Sequence, residues 1–63
     1  MLTPQDVKPD MLVKIDFGFY DVVGVVTVVD ESHVLVSWED GSFGLLYWDR
    51  RMKPSANRLE AVS

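Results

Sequence analysis

Two alternating apolar runs joined by Asp-Gly, in VLVSWEDGSFGLLYW at 34–48, constrain the fold of this chain more than any other feature. A two-residue type I′ turn needs positive φ at both central positions, and Asp-Gly adopts that conformation at little cost. A hairpin is therefore expected with Asp40 and Gly41 as its turn. In that register Glu39 faces Ser42, Trp38 faces Phe43, Val36 faces Leu45 and Val34 faces Tyr47, which makes one face wholly apolar. The opposite face pairs His33 with Trp48, Leu35 with Leu46 and Ser37 with Gly44, and it too carries large apolar groups where water would be expected.

The rest of the chain reads as further strands. Residues 1–10 hold Pro4 and Pro9 among polar residues and are expected as an N-terminal arm with one turn at Thr3-Pro4. A single domain then spans 11–63. In MLVKID, at 11–16, Met11, Val13 and Ile15 fall on one side, and the following FGFYD is an aromatic cluster broken by Gly18, expected as an exposed loop. Residues 22–30 are β-branched and long, so this strand must curl, with Gly24 the expected bend. A three-residue loop at Asp30-Glu31-Ser32 places Val26 and Val28 inside with Gly24 beneath Trp38. A two- or four-residue loop instead buries Thr27, whose hydroxyl would then need a partner. After the hairpin, Asp49-Arg50-Arg51-Met52 can form one helical turn before Pro54, and Asn57 to Val62 a short closing strand with Leu59 inward.

At 63 residues, 48% hydrophobic and 25% charged, the chain suits one small globular domain. So small a core is close to the limit of independent stability, and domains of this size lean on disulfides, metals or oligomerisation. With no Cys, the first is excluded and so are the commonest zinc sites, which makes self-association the leading expectation. The longest apolar run, VVGVVTVV, is far short of the roughly 20 residues that cross a bilayer, and no basic segment precedes an apolar one at the N-terminus. A cytoplasmic protein without membrane contact is expected.

The net charge of −4 opposes nucleic-acid binding, but the charge is uneven. Residues 1–48 hold Lys8 and Lys14 against eight acids, whereas 49–63 hold Arg50, Arg51, Lys53 and Arg58 against two. Catalytic patterns are missing: one His, no Cys, no phosphate-cradling Gly-rich loop. His33 reads as a solvated strand residue. Asp30-Glu31 and Glu39-Asp40 read as turn acids, because their spacing lacks the alternating oxygen ligands of a calcium loop. No catalytic residue, metal or cofactor is expected. The aromatics Phe17, Phe19 and Tyr20, flanked by Asp16 and Asp21, have two readings: an attractive site for a cationic or methylated ammonium group, or a plug for the end of the fold. Trp48 and Tyr47 beside Arg50-Arg51 offer stacking plus charge, as single-stranded nucleic acid requires, or simple packing.

VKI at 13–15, GVVTVV at 24–29, VLVSWEDGSFG at 34–44 and the turn-like WDRRM before a last short strand together resemble the SH3-like small barrels, particularly their Tudor and KOW-type branch. The resemblance covers about residues 10–62 and implies an all-β, five-stranded, partly open barrel. It also implies ligand contacts from the first loop and the third-to-fourth strand turn, which by position are Phe19, Tyr20, Asp40 and Phe43. Trp38 pointing into the core departs from the methyl-ligand pattern, and the acidity departs from the nucleic-acid branch.

The expected core is Val13, Ile15, Val26, Val28, Val34, Val36, Trp38, Phe43, Leu45, Tyr47 and Leu59. The expected function is a non-catalytic binding or assembly module acting through protein contact, with a protein partner or a second copy. Its contacts are the outer face, made by Val23, Val25, Val29, Leu35, Leu46 and Trp48, and the ligand residues Phe17, Phe19, Tyr20, Asp40 and Phe43. The alternative is a nucleic-acid accessory protein using Arg50, Arg51, Lys53 and Arg58. An enzyme subunit or inhibitor supplying only surface is not separable from the first by sequence.

Overall fold

The β-branched runs become strands, while the aromatic cluster at 17–20 is a loop between the first two. The computed structural model describes residues 2–62; Met1 and Ser63, which bound the expected arm and domain, lie outside the described residues. Five strands form one antiparallel sheet: β1 (Leu12–Asp16), β2 (Asp21–Val29), β3 (His33–Trp38), β4 (Phe43–Tyr47) and β5 (Leu59–Ala61), the last entered through a 3₁₀ turn at Ala56–Arg58. The order across the sheet is β4-β3-β2-β1-β5, and no ladder joins β4 to β5, so the sheet is open. It is also curled. Extents of 27 × 23 × 22 Å are nearly equal, whereas a flat single sheet would be far thinner than it is wide.

Pairing sets the inner face. Val13 stands opposite Gly24 and Ile15 opposite both Val22 and Leu59. Further along, Gly24 meets Trp38, Val26 meets Val36 and Val34 meets Leu46. Val13, Ile15, Val26, Val34, Val36, Leu46 and Leu59 form the buried cluster, joined by Val7 and Ala56 from outside the main strands. Val7 brings the segment 2–10 against the sheet. Asp6 accepts the Thr3 amide and hydroxyl, and a Lys8–Met11 turn with Asp10 at φ 73° follows. The Asp10 amide then donates to the Val26 carbonyl at 2.8 Å, and Val26 returns a bond to Met11 at 2.9 Å, which folds Val7 onto the core.

Two loops differ from the expected geometry by one residue each. In the β3–β4 hairpin the Gly41 amide donates to the Trp38 carbonyl and the Trp38 amide to the Ser42 carbonyl. Gly41 is left-handed at φ 92°, while Asp40 is not, which rules out a type I′ turn. The loop therefore has three residues, Glu39 to Gly41, built as an ordinary turn closed by a left-handed Gly. Leu46 now stands opposite Val34 and Leu45 opposite Leu35. One residue of slip turns over every side chain of a strand. Phe43 and Leu45, expected inside, are 67% and 41% exposed, Tyr47 is only half-buried, and Leu46, expected outside, is 2% exposed in the core.

The second difference is a bulge in β2. Val26 faces Val36 but Val28 faces Leu35, so Thr27 is an extra, unpaired residue. Its hydroxyl donates to the Leu35 carbonyl at 3.0 Å. The expected three-residue register holds before the bulge, with Gly24 opposite Trp38, and fails after it. Val28 is turned outward and Val29 inward, the reverse of the expectation.

Candidate functional site

The outer face of the sheet is apolar across its middle. Leu12, Val25, Ser37 and Phe43 stand in one cross-strand row, with Val28, Leu35 and Leu45 in the next. Leu12, Val25, Val28, Phe43 and Leu45 are all exposed. At its β1 side the patch ends in charge, where Lys14 lies 4.0 Å from Asp21 and 3.9 Å from Glu60. Of the residues expected on this face, Val23, Val25 and Leu35 are there. Leu46 and Val29 point the other way for the reasons given above. Trp48 is half-buried: its indole Nε1 donates to the Asp30 carbonyl at 3.0 Å, and its own carbonyl accepts from the Asn57 side chain. It ties the 30–32 loop to the 3₁₀ turn and is a structural strut.

On the inner side, the open end of the sheet leaves a cleft of about 770 Å³ between the first loop, the β3–β4 turn and the segment after β4. Its floor is Ile15, Val22, Leu46 and the indole of Trp38. Trp38 lies flat here because the residues under it are glycines. A Cβ on Gly24 would come within 2.7 Å of the Trp38 ring and 2.8 Å of the Ser37 carbonyl, and one on Gly44 would collide with the indole nitrogen. Trp38, expected in the core, thus packs on it with one face and lines the cleft with another.

The first loop supplies one wall. The Asp16 carboxylate accepts the Gly18 amide at 2.7 Å, Gly18 takes φ 95°, and the Phe17 amide donates to the Tyr20 carbonyl, so the loop is a tight turn. This brings the Phe17 and Tyr20 rings to 5.5 Å at 34°. Phe19 sits at the apex, 99% exposed and outside the cleft. The opposite wall comes from the segment after β4. Asp49 accepts the Arg51 amide and its guanidinium, the Tyr47 amide donates to the Pro54 carbonyl, and Ser55 caps the 3₁₀ turn. The path between places Arg50, Lys53 and Arg58 on the cleft. Arg51, paired with Asp49 at 3.0 Å, is directed elsewhere.

Two groups that lie far apart in sequence therefore meet: the aromatic pair Phe17 and Tyr20, and the cations Arg50, Lys53 and Arg58. The Arg58 guanidinium stands over the Phe17 ring at 5.5 Å and donates to the Asp16 carbonyl at 3.1 Å. The ring face expected to attract a cationic ligand is occupied by a cation of the chain itself. Asp40 is the one acid on the lining, and its carboxylate accepts the Ser42 hydroxyl at 2.6 Å and amide at 2.9 Å. Those two bonds, the hydroxyl first, hold its pKa below the ordinary value of 3.8, so it stays ionised as a turn brace. Phe43 belongs to the outer face and does not join the others. Among the described residues no three His, Cys, Asp or Glu side chains come together as metal ligands would, and no helix is long and apolar enough to cross a membrane.

Trp38 and Ser42 are site residues that sequence reasoning missed, and the signal for Trp38 was available. Two glycines placed inside strands otherwise rich in β-branched and apolar residues mark a close approach by something large. Comparison of the chain with family models, curated proteins and solved structures finds no match, so the geometry alone carries the functional reading.

Proposed function

We propose that this chain is a non-catalytic binding and assembly module, an SH3-like partly open barrel of the Tudor and KOW kind, that works through protein contact. The observation that carries the reading is the outer face: Leu12, Val25, Val28, Leu45 and Phe43 are exposed around the half-buried Leu35 and form an apolar surface on a chain of 63 residues. Soluble chains do not leave such patches uncovered without use. The occupant is a second copy of the chain, because a core of nine buried apolar residues among the described ones, with no cysteine in the sequence, has little else to lean on. The strand order β4-β3-β2-β1-β5 and the curl of the sheet are in keeping with the barrel reading.

Sedimentation equilibrium across micromolar concentrations tests this. The wild type is expected to dimerise. Leu45→Glu, which places a charge at the β4 side of the patch without touching the core, is expected to be a folded monomer. A wild type that stays monomeric at every concentration defeats the reading.

A further inference from the structure

The cleft on the inner side is a second site, distinct from the outer face, and its chemistry is specific. We propose that it takes a linear acidic peptide, with carboxylates against Lys53, Arg58 and Arg50 and an aromatic or long aliphatic side chain against Trp38. This deepens the binding-module reading by naming a ligand class for the cleft. Its test is independent of the outer face, whose failure the sedimentation experiment would reveal separately.

Charge decides against the cationic ligand. Three cations line the cleft and one acid, Asp40, whose carboxylate is already engaged by Ser42. Lys53 makes no ion pair among the described residues, and the Arg58 guanidinium donates to a backbone carbonyl, which leaves its charge uncancelled. A methylated or free ammonium entering here would meet like charge on the wall that carries Lys53 and Arg58. An anion meets donors that favour carboxylate, with Arg able to engage it through two parallel bonds.

Shape and wider charge decide between peptide and nucleic acid. The cleft is about 770 Å³, within the range of ordinary ligand pockets, and its floor is apolar, with Ile15, Val22, Leu46 and the Trp38 ring. A short segment with an apolar side chain between two acids fills both parts. A nucleic-acid strand would continue beyond the cleft across a molecule of net charge −4, whose first 48 residues carry eight acids. There repulsion replaces the counterion release that drives such binding. Acidic peptides are recognised by clustered Arg and Lys in this way, and only a few charges need to be matched.

The experiment is an amide and indole N–H shift titration of the whole chain with three probes. These are a blocked ten-residue peptide of four Glu and two Phe with Gly and Ser spacers, the same peptide with Lys for Glu, and a ten-nucleotide poly-dT. The acidic peptide is expected to move the signals of Tyr20, the Trp38 indole and Arg58, and the Lys peptide to move none of them. Lys53→Glu and Arg58→Gln are expected each to weaken the acidic peptide at least ten-fold. Arg58 also braces the first loop, so Lys53→Glu, on an exposed side chain with no ion pair among the described residues, decides if Arg58→Gln does not fold. The proposal is overturned by equal or tighter binding of the Lys peptide, by Lys53→Glu leaving affinity within two-fold, or by no shift at millimolar acidic peptide. Binding of the oligonucleotide alone overturns it in favour of nucleic acid.

Discussion

Trp38 rests on two glycines, and that contact is where single atoms matter most. Adding a methyl group at Gly24 forces it against the Trp38 ring, the Val36 side chain and the Ser37 carbonyl, and the last is backbone that cannot move aside. Gly24→Ala is expected to cost about 3 kcal/mol, at the upper end of overpacking effects, and Gly44→Ala, which meets only the indole, about 2 kcal/mol. Gly18→Ala is the control: its new Cβ meets nothing within 4 Å, so only the left-handed backbone at φ 95° is penalised, by about 1 kcal/mol. Urea unfolding of the three variants checks the ranking. The turn acids act at the same scale. Asp6 and Asp40 are held below 3.8 chiefly by the Thr3 and Ser42 hydroxyls, so their contribution to stability is fully present above that value and is lost as pH falls through the lowered folded one. Unfolding midpoints measured from about pH 6 to about pH 2 are expected to fall on the acid side for the wild type and to fall less for Asp40→Ala.

At the level of the elements, the Glu39–Gly41 turn and the Thr27 bulge together decide which side chains are buried. Gly41→Ala puts a Cβ on a left-handed residue and is expected to cost about 1 kcal/mol while the register holds. Deleting Thr27 removes the extra residue yet leaves Val28 outward and Val29 inward, so the chain is expected to fold with a regular β2–β3 ladder and to lose no more than about 2 kcal/mol. Deleting Val26 instead removes a fully buried side chain and should prevent folding. Amide spectra of both deletions make the comparison. These same elements show how far the sequence could be read. All five strands, the hairpin, the inward Leu59, the Gly24–Trp38 pairing and the 49–52 turn follow from β-branched runs and turn residues. The faces of β4 do not, because Asp-Gly serves a two-residue turn at both positions or a three-residue turn at its end. With Leu45 and Leu46 both apolar, alternation could not choose between them. The bulge had no signal except Thr27, polar in an apolar run and able to satisfy a carbonyl. The meeting of the first loop with Arg50, Lys53 and Arg58 depends on how the sheet curls, which no local pattern encodes.

Across the whole molecule, the two faces of the sheet have separate proposed uses: the outer one for a second copy, the open end of the inner one for a ligand. Trp48, which the sequence placed on the outer face, now separates stability from assembly. Trp48→Ala is expected to destabilise the fold by about 3 kcal/mol, through lost packing and the lost bond to Asp30, without affecting association of the folded fraction. Phe43→Ala should do the reverse, weakening self-association by about 2 kcal/mol and leaving stability nearly unchanged.

The most direct measurement is a methyl and amide shift map of the wild type recorded as its concentration is raised from micromolar to millimolar. The expected result is that Leu12, Val25, Val28, Leu45 and Phe43 move together along one binding curve while Val34, Val36 and Leu46 stay fixed. Shifts that do not change with concentration, or that centre on Leu46 and Trp48 instead, would contradict the outer face as the assembly surface.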